Sequence, residues 1–330
     1  MKTQKASGRA GMMHFALGLV MFGLATFLPP VFGQAKTKNP ASKVYFADVR
    51  GDAQIDTGKK IQDLERRSVY TAEGTTIDTG TAARPEDAGK VYSTMVYSNG
   101  TGAYFDADTK VEVKSFVQEP FTPNRSDMEA EPSISKTHAF VSKGTVGICA
   151  SKLVAGSSMN YETALGAVNI RGRKVVIEAK NGVTKISMLE GESTVRGGAM
   201  DMGGHTIKAG EQATIQAGPP GQPNIVQVGK IPESEKAQLD EKVTMACEAK
   251  KTVYFEIKEQ KPGDQPVSSN EAAGAGDGAS ASGPVTAFDD ANTPVPLREI
   301  VPVQVVPIEL PTNHTMTPAR AAVTTTPTGG

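Results

Sequence analysis

The 330-residue chain has no tryptophan, two cysteines and four histidines, and aromatic residues make up only 5% of it. Each scarcity narrows what the chain can do. Thirty-five Lys and Arg stand against 36 Asp and Glu, for a formal charge of −1, and neither sign gathers in blocks. The electrostatic footprint of a nucleic-acid-binding protein is therefore missing. Histidine is the usual acid, base or metal ligand near neutral pH, and only His138, His205 and His314 lie beyond the N-terminal segment. None belongs to a paired-histidine zinc helix, and the chain has no nucleophile elbow or glycine-rich phosphate loop. The expectation is a chain with no catalytic residues, no metal and no cofactor.

Long apolar runs are also scarce. The one present, Phe15 to Leu28, follows Lys2, Lys5 and Arg9 and ends at Pro29 and Pro30, with small residues at Gly33 and Ala35. This is the pattern of a signal peptide over residues 1–35. The run is short of the roughly 20 apolar residues of a membrane span, so membrane contact is expected only if the segment stays uncleaved as an anchor. Export to the periplasm or cell surface is the expected localisation.

Glycine and proline are plentiful, 34 and 21 residues, and they punctuate short alternating runs. After a linker at 36–43, alternation starts at Val44, Phe46 and Val49. Ile55-Asp56-Thr57-Gly58 returns as Ile77-Asp78-Thr79-Gly80, a hint of a repeated strand–turn unit. Asn99-Gly100 and Asn181-Gly182 each predict a two-residue hairpin turn, because Asn-Gly tolerates the positive φ angles of type I′. Val111, Val113, Ser115 and Val117 alternate with Glu112, Lys114 and Phe116. Further strands are predicted at Ala139–Ser142, Val146–Ala150, Val168–Arg171, Lys174–Ala179, Val183–Leu189, Ser193–Arg196, His205–Lys208, Gln212–Gln216 and Asn224–Val228. The fold class that follows is all-β over 44–228, stacked hairpins in a sandwich or solenoid-like arrangement. Leu239, Val243 and Cys247 then mark one amphipathic helix, which with a short strand fills 232–258. From 261 to 330 the Pro/Ala/Thr-rich chain is expected to be a disordered tail.

Between Gly74 and Ile215 the ordered pieces resemble a FecR domain, an extracytoplasmic module named after a bacterial iron-transport regulator. The likeness is carried by Gly74 to Gly80, Ser98 to Thr101, Thr109 to Phe116, and Val141-Ser142-Lys143-Gly144-Thr145-Val146. Thr163 to Gly172 is similar to the apolar run that ends in Arg-Gly, Met188 to Val195 to a Leu-Glu-Gly turn, and Lys208 to Glu211 to a closing Ala-Gly-Glu. Arg173 and Lys174 depart from the pattern. Only fourteen residues precede the apolar run, which leaves no room for the cytosolic anti-sigma bundle of the regulators. The resemblance implies a stand-alone exported module that binds or senses an envelope protein or surface polymer. An envelope hydrolase acting on a polysaccharide, with carboxylates assembled by the fold, is the alternative; a structural surface protein is another.

Cys149 and Cys247 form either a disulfide, which an oxidising compartment permits, or two buried thiols. Asp106, Asp108 and Glu112 lack the remaining ligands of a calcium loop and read as a solvated strand edge. In the tail, Val303, Val305, Val306 and Ile308 form a candidate partner-binding segment. Pro302 and Pro307 within it oppose a sheet ladder.

Overall fold

Strands dominate the residues described by the computed structural model, which are 42–122, 129–260, 287–288, 294–295 and 297–304. In chain order they are β1 (Lys43–Arg50), β2 (Ala53–Asp56), β3 (Ile61–Asp63), β4 (Val69–Thr71), β5 (Thr75–Thr79), β6 (Tyr92–Tyr97), β7 (Gly102–Asp106), β8 (Lys110–Gln118) and β9 (Ser135–Cys149). The second half adds β10 (Ser158–Thr163), β11 (Ala167–Ile170), β12 (Lys174–Lys180), β13 (Val183–Glu190), β14 (Glu192–Arg196), β15 (His205–Lys208), β16 (Glu211–Gln216) and β17 (Ile225–Lys230). Most are too short to persist outside a larger sheet.

Pairing sorts them into two sheets. The first runs β4-β1-β6-β7-β9-β12-β13-β16-β17, and the second β3-β2-β5-β8-β9-β10-β11-β14-β15. The chain is thus all-β, a sandwich of hairpins with β9 common to both layers. Among the described residues β9 and β10 are the one pair of strands that runs parallel. One hydrophobic core fills the space between the layers, with Phe46, Phe105, Ile148 and Ile177 from the first sheet meeting Ile55, Val111, Tyr161 and Ile170 from the second. Alternation is what aims these residues inward. The Tyr97 and Tyr161 hydroxyls meet at 3.1 Å within this core, and burial pushes the Tyr97 phenol up to about 12.

Gly144 makes the sharing possible. The sequence predicts two strands either side of it, but the structure has one, whose first half pairs with β8 and β10 and whose second half pairs with β7 and β12. Gly144 sits between the halves at φ +96°, and a Cβ there would collide with Thr109. The Thr109 hydroxyl instead accepts the Thr145 N–H at 3.0 Å, and the Thr109 N–H donates to the Thr79 hydroxyl at 2.9 Å. Backbone groups that lose their ladder at the crossing are satisfied by these threonines.

Two other local readings change. Asn181 and Gly182 both have positive φ, 52° and 70°, and Lys180 pairs with Val183, so that turn is the predicted type I′. At Asn99-Gly100 only the glycine has positive φ, and the Gly100 N–H donates to the Tyr97 carbonyl at 2.8 Å. This is a longer turn-plus-bulge connection. It wins because the Asn99 side chain is buried and occupied, accepting the Thr101 N–H at 3.0 Å and donating to the Ser135 hydroxyl at 2.9 Å. The repeated tetrapeptides are antiparallel neighbours in the second sheet, with Ile55 opposite Ile77.

The helix α1 (Glu233–Lys250) lies on the outer face of the first sheet. Leu239, Val243 and Ala246 pack against Tyr104, Cys149 and Val176. Two glycines form its bed: a Cβ on Gly102 would strike the Ala246 carbonyl, and one on Gly147 would lie 3.0 Å from the Lys242 carbonyl. Beside them Cys149 and Cys247 are joined, with Cα atoms 5.2 Å apart and a sequence separation of 98. Lys242 caps the contact through an ion pair with Asp106.

Beyond the helix, β18 (Val253–Gln260) pairs antiparallel with β21 (Leu297–Gln304), and the two-residue β19 (Ala287–Phe288) pairs with β20 (Pro294–Val295). The expectation of a tail without structure is corrected over Leu297–Gln304. Pro302 stands opposite Phe255 in a strand with one ladder neighbour among the described residues, and such edge positions tolerate proline. Ile300 and Val301 are buried, Ile300 against Tyr45, Phe121 and Phe255, which offsets the lost donor. Val303 belongs to β21 and pairs with Tyr254. Val305, Val306 and Ile308 lie outside the described residues, as do the predicted signal peptide and, apart from 287–288 and 294–295, the remainder of the predicted tail.

Two outcomes follow for stability. Gly144→Ala adds both left-handed backbone strain and a clash with Thr109, so it should cost about 2–4 kcal/mol and lower the thermal midpoint by about 5–15 °C; an unchanged midpoint contradicts the crossing described above. Cys149→Ala/Cys247→Ala should cost about 4–5 kcal/mol on the chain-entropy account of a loop this long, and the unreduced protein should show no alkylatable thiol by intact mass.

Candidate binding groove

No helix among the described residues covers the outer face of the second sheet. Because residues alternate across a strand, the neighbours of the core residues Thr137, Met159, Tyr161, Val168, Ile170 and Val195 all point outward here. Their pairings place Ser115, His138, Asn160, Asn169 and Thr194 in one row across β8, β9, β10, β11 and β14. At the usual spacing between strands the row is about 19 Å long. It floors an open groove of about 590 Å³.

Every side chain in the row can hydrogen-bond. The Asn169 amide donates to the Asn160 side-chain oxygen at 2.7 Å, which leaves each amide with further donor or acceptor capacity. On one side of the row Glu162 lies 3.0 Å from His138 Nε2 and 3.4 Å from Lys114 Nζ. Burial pushes the Glu162 carboxyl up, but the His138 contact and Lys114 outweigh it and hold it below the ordinary range. Lys136, Arg171 and Arg196 line the same groove. None of these three takes part in an ion pair among the described residues.

The residues singled out in the sequence fall in different places. His138 is in the groove, whereas His205 lies at the edge strand β15, 3.5 Å from Asp201. Asp106, Asp108 and Glu112 do not converge: Asp106 holds Lys242 and Asp108 holds Lys143 at 2.6 Å. Among the described residues no group of three His, Cys, Asp or Glu side chains is placed to hold a metal. Asn160, Glu162, Asn169 and Thr194 were missed as a site. The alternation Met159, Tyr161, Thr163 against Ser158, Asn160, Glu162 marks β10 as half-buried, yet only the pairing of β10 with β9 and β11 shows which polar groups it adjoins.

No protein-family model and no curated protein matches the chain. Two crystal structures of a candidate anti-sigma factor from Parabacteroides distasonis ATCC 8503, at 2.50 Å and 1.65 Å resolution, are similar with a TM-score of 0.34 and 10% and 9% identity. The match covers 49% of this chain and 62% of that one.

Three carboxyls set an acid limit on the fold. Glu162 is lowered as described; backbone N–H groups of Gly197 and Gly204 lower Asp201, and the Gln212 amide and then Lys185 lower Glu235 on the helix. With folded values below the ordinary 4.5 of Glu and 3.8 of Asp, the native state binds fewer protons than the unfolded chain. Their stabilisation is complete above those ordinary values and is lost as pH falls through the lower, folded ones. The thermal midpoint should therefore drop below pH about 4.5, and the triple variant E162Q/D201N/E235Q should show a shallower drop; parallel curves contradict the assignment.

Proposed function

We propose that the chain is an exported, non-catalytic binding or sensing module of the bacterial cell envelope, a stand-alone FecR-like domain whose ligand lies in the groove of the second sheet. The observation that carries this reading is the row of five outward hydrogen-bonding side chains from five strands that meet nowhere in sequence. A surface polymer or an extended segment of an envelope protein fits a shallow polar track of this kind.

The chemistry of the groove favours binding over hydrolysis. Glycoside cleavage uses two carboxyl groups about 5–10 Å apart, and the groove lining contains one, Glu162, already engaged by His138 and Lys114. The joined Cys149 and Cys247 suit an oxidising compartment outside the cytoplasm, which supports export.

The test is to fill the track. Asn169→Trp places a large, strand-compatible side chain in the middle of the row, and should abolish retention by isolated envelope polymers in affinity electrophoresis while the circular dichroism spectrum and thermal midpoint hold. Lys236→Glu, on the exposed side of α1, should bind as the parent does. Equal loss in both variants, or no loss in N169W, defeats the groove as the ligand site.

A further inference from the structure

We propose that the ligand of this groove is an acidic polysaccharide, an extended glycan bearing carboxylate or phosphate groups; the inference rests on the groove reading above and narrows it to a class of ligand. Three features of the track select that chemistry. They concern its charge, its spacing and its lack of Phe, Tyr and Trp.

Charge comes first. In a chain of nearly zero net charge, the groove gathers Lys136, Arg171 and Arg196 against Glu162 alone. By contrast, Lys110 is paired with Asp78 at 3.4 Å, Lys143 with Asp108 at 2.6 Å and Lys174 with Glu190 at 3.5 Å. Lys136 and Arg171 have no such partner among the described residues, and Arg196 has no carboxylate within ion-pair distance, although Asp201 lies within its Coulombic reach. A guanidinium presents a fork of donors that matches carboxylate or phosphate oxygens, so two arginines in one groove, neither with a carboxylate in direct ion-pair contact, point to an anionic ligand.

Spacing indicates a polymer. In the β11–β14 pair Arg196 stands opposite Ala167, and Asn169 stands opposite Thr194. Arg171 follows β11, four residues beyond Ala167, or about 13 Å along the strand. The two guanidinium-bearing positions thus lie on opposite sides of the polar row, at its β11–β14 end, farther apart than one sugar ring reaches. Between them Asn169, Asn160 and Thr194 combine donors with acceptors, as hydroxyl groups require and bare anions do not. Anionic at intervals and hydroxylated between is the pattern of an acidic glycan.

The third feature separates glycans from nucleic acids. Single-stranded nucleic acids are held by aromatic platforms on which bases stack, and the groove lining has no Phe, Tyr or Trp. Phe140 is close by, but the Lys114 ammonium lies over its ring, 4.7 Å from the centroid.

Isothermal titration of the full chain with polygalacturonate, a phosphomannan, dextran and poly(dT) decides the matter. Binding to polygalacturonate, to the phosphomannan or to both is expected, and tells which anion is read; it should weaken between 50 and 500 mM salt, because exposed charges are screened. R171A and R196A should each weaken it about tenfold, the worth of one charged hydrogen bond, with partial recovery in R171K and R196K, while N169W abolishes it. If dextran binds equally well and the arginine variants bind like the parent, the acidic ligand is refuted although the groove stands, provided N169W still blocks. Glycan binding that survives N169W refutes the groove itself. Preference for poly(dT), or binding to neither anionic glycan, also overturns the proposal.

Discussion

At Gly144 a Cβ atom would collide with Thr109, and the missing carbon lets one strand leave the second sheet and enter the first. Both layers close on β9, so the whole ladder hangs on that crossing. Thr79, Thr109 and Thr145 supply the hydrogen bonds that a regular ladder would have made there. The same passage fixes the parallel pairing of β9 with β10, which puts His138 beside Asn160. The polar groove is a consequence of where the strand crosses.

The two outer faces of the sandwich have opposite fates for a reason visible in residue size. On the first sheet Gly102 and Gly147 remove side chains so that a helix backbone can come down onto the strands. On the second sheet the corresponding outward positions carry Ser, His, Asn and Thr, which remain solvated and offer no apolar surface for a helix to cover. Helix burial makes the second half of β9 buried on both sides, whereas its first half alternates. One strand therefore records both environments.

Much of this was legible beforehand, and the failures are instructive. Alternation located most strands of the second half, and the i, i+4 stripe of Leu239, Val243 and Cys247 located α1, since both signals are local. Alternation gives separate strands at Ala139–Ser142 and Val146–Ala150, since glycine ordinarily weakens a strand; the use of Gly144 inside one strand depends on Thr109, far away in sequence. Asn99-Gly100 was misread because the turn type was decided by burial of the Asn99 side chain against Ser135, a tertiary contact. Leu297–Gln304 looked too rich in proline for a ladder, and burial of Ile300 outweighed that penalty. The groove was illegible for a simpler reason: its row takes one residue from each of five strands, and sequence spacing says nothing about which strands adjoin.

The disulfide also determines how the module responds to mechanical load. Cys247 lies near the C-terminal end of α1, and β18 begins a few residues later at Val253. Tension applied through β18 therefore reaches Cys247 before it can peel more than the last turn of the helix away. From Cys247 it passes covalently to Cys149, at the end of the strand that both sheets share. The pull is then borne in shear by the ladders of β7 and β12 on either side of β9, where many hydrogen bonds must yield together. A C-terminal tether is anchored in the middle of the sandwich although the helix it leaves from sits on the surface.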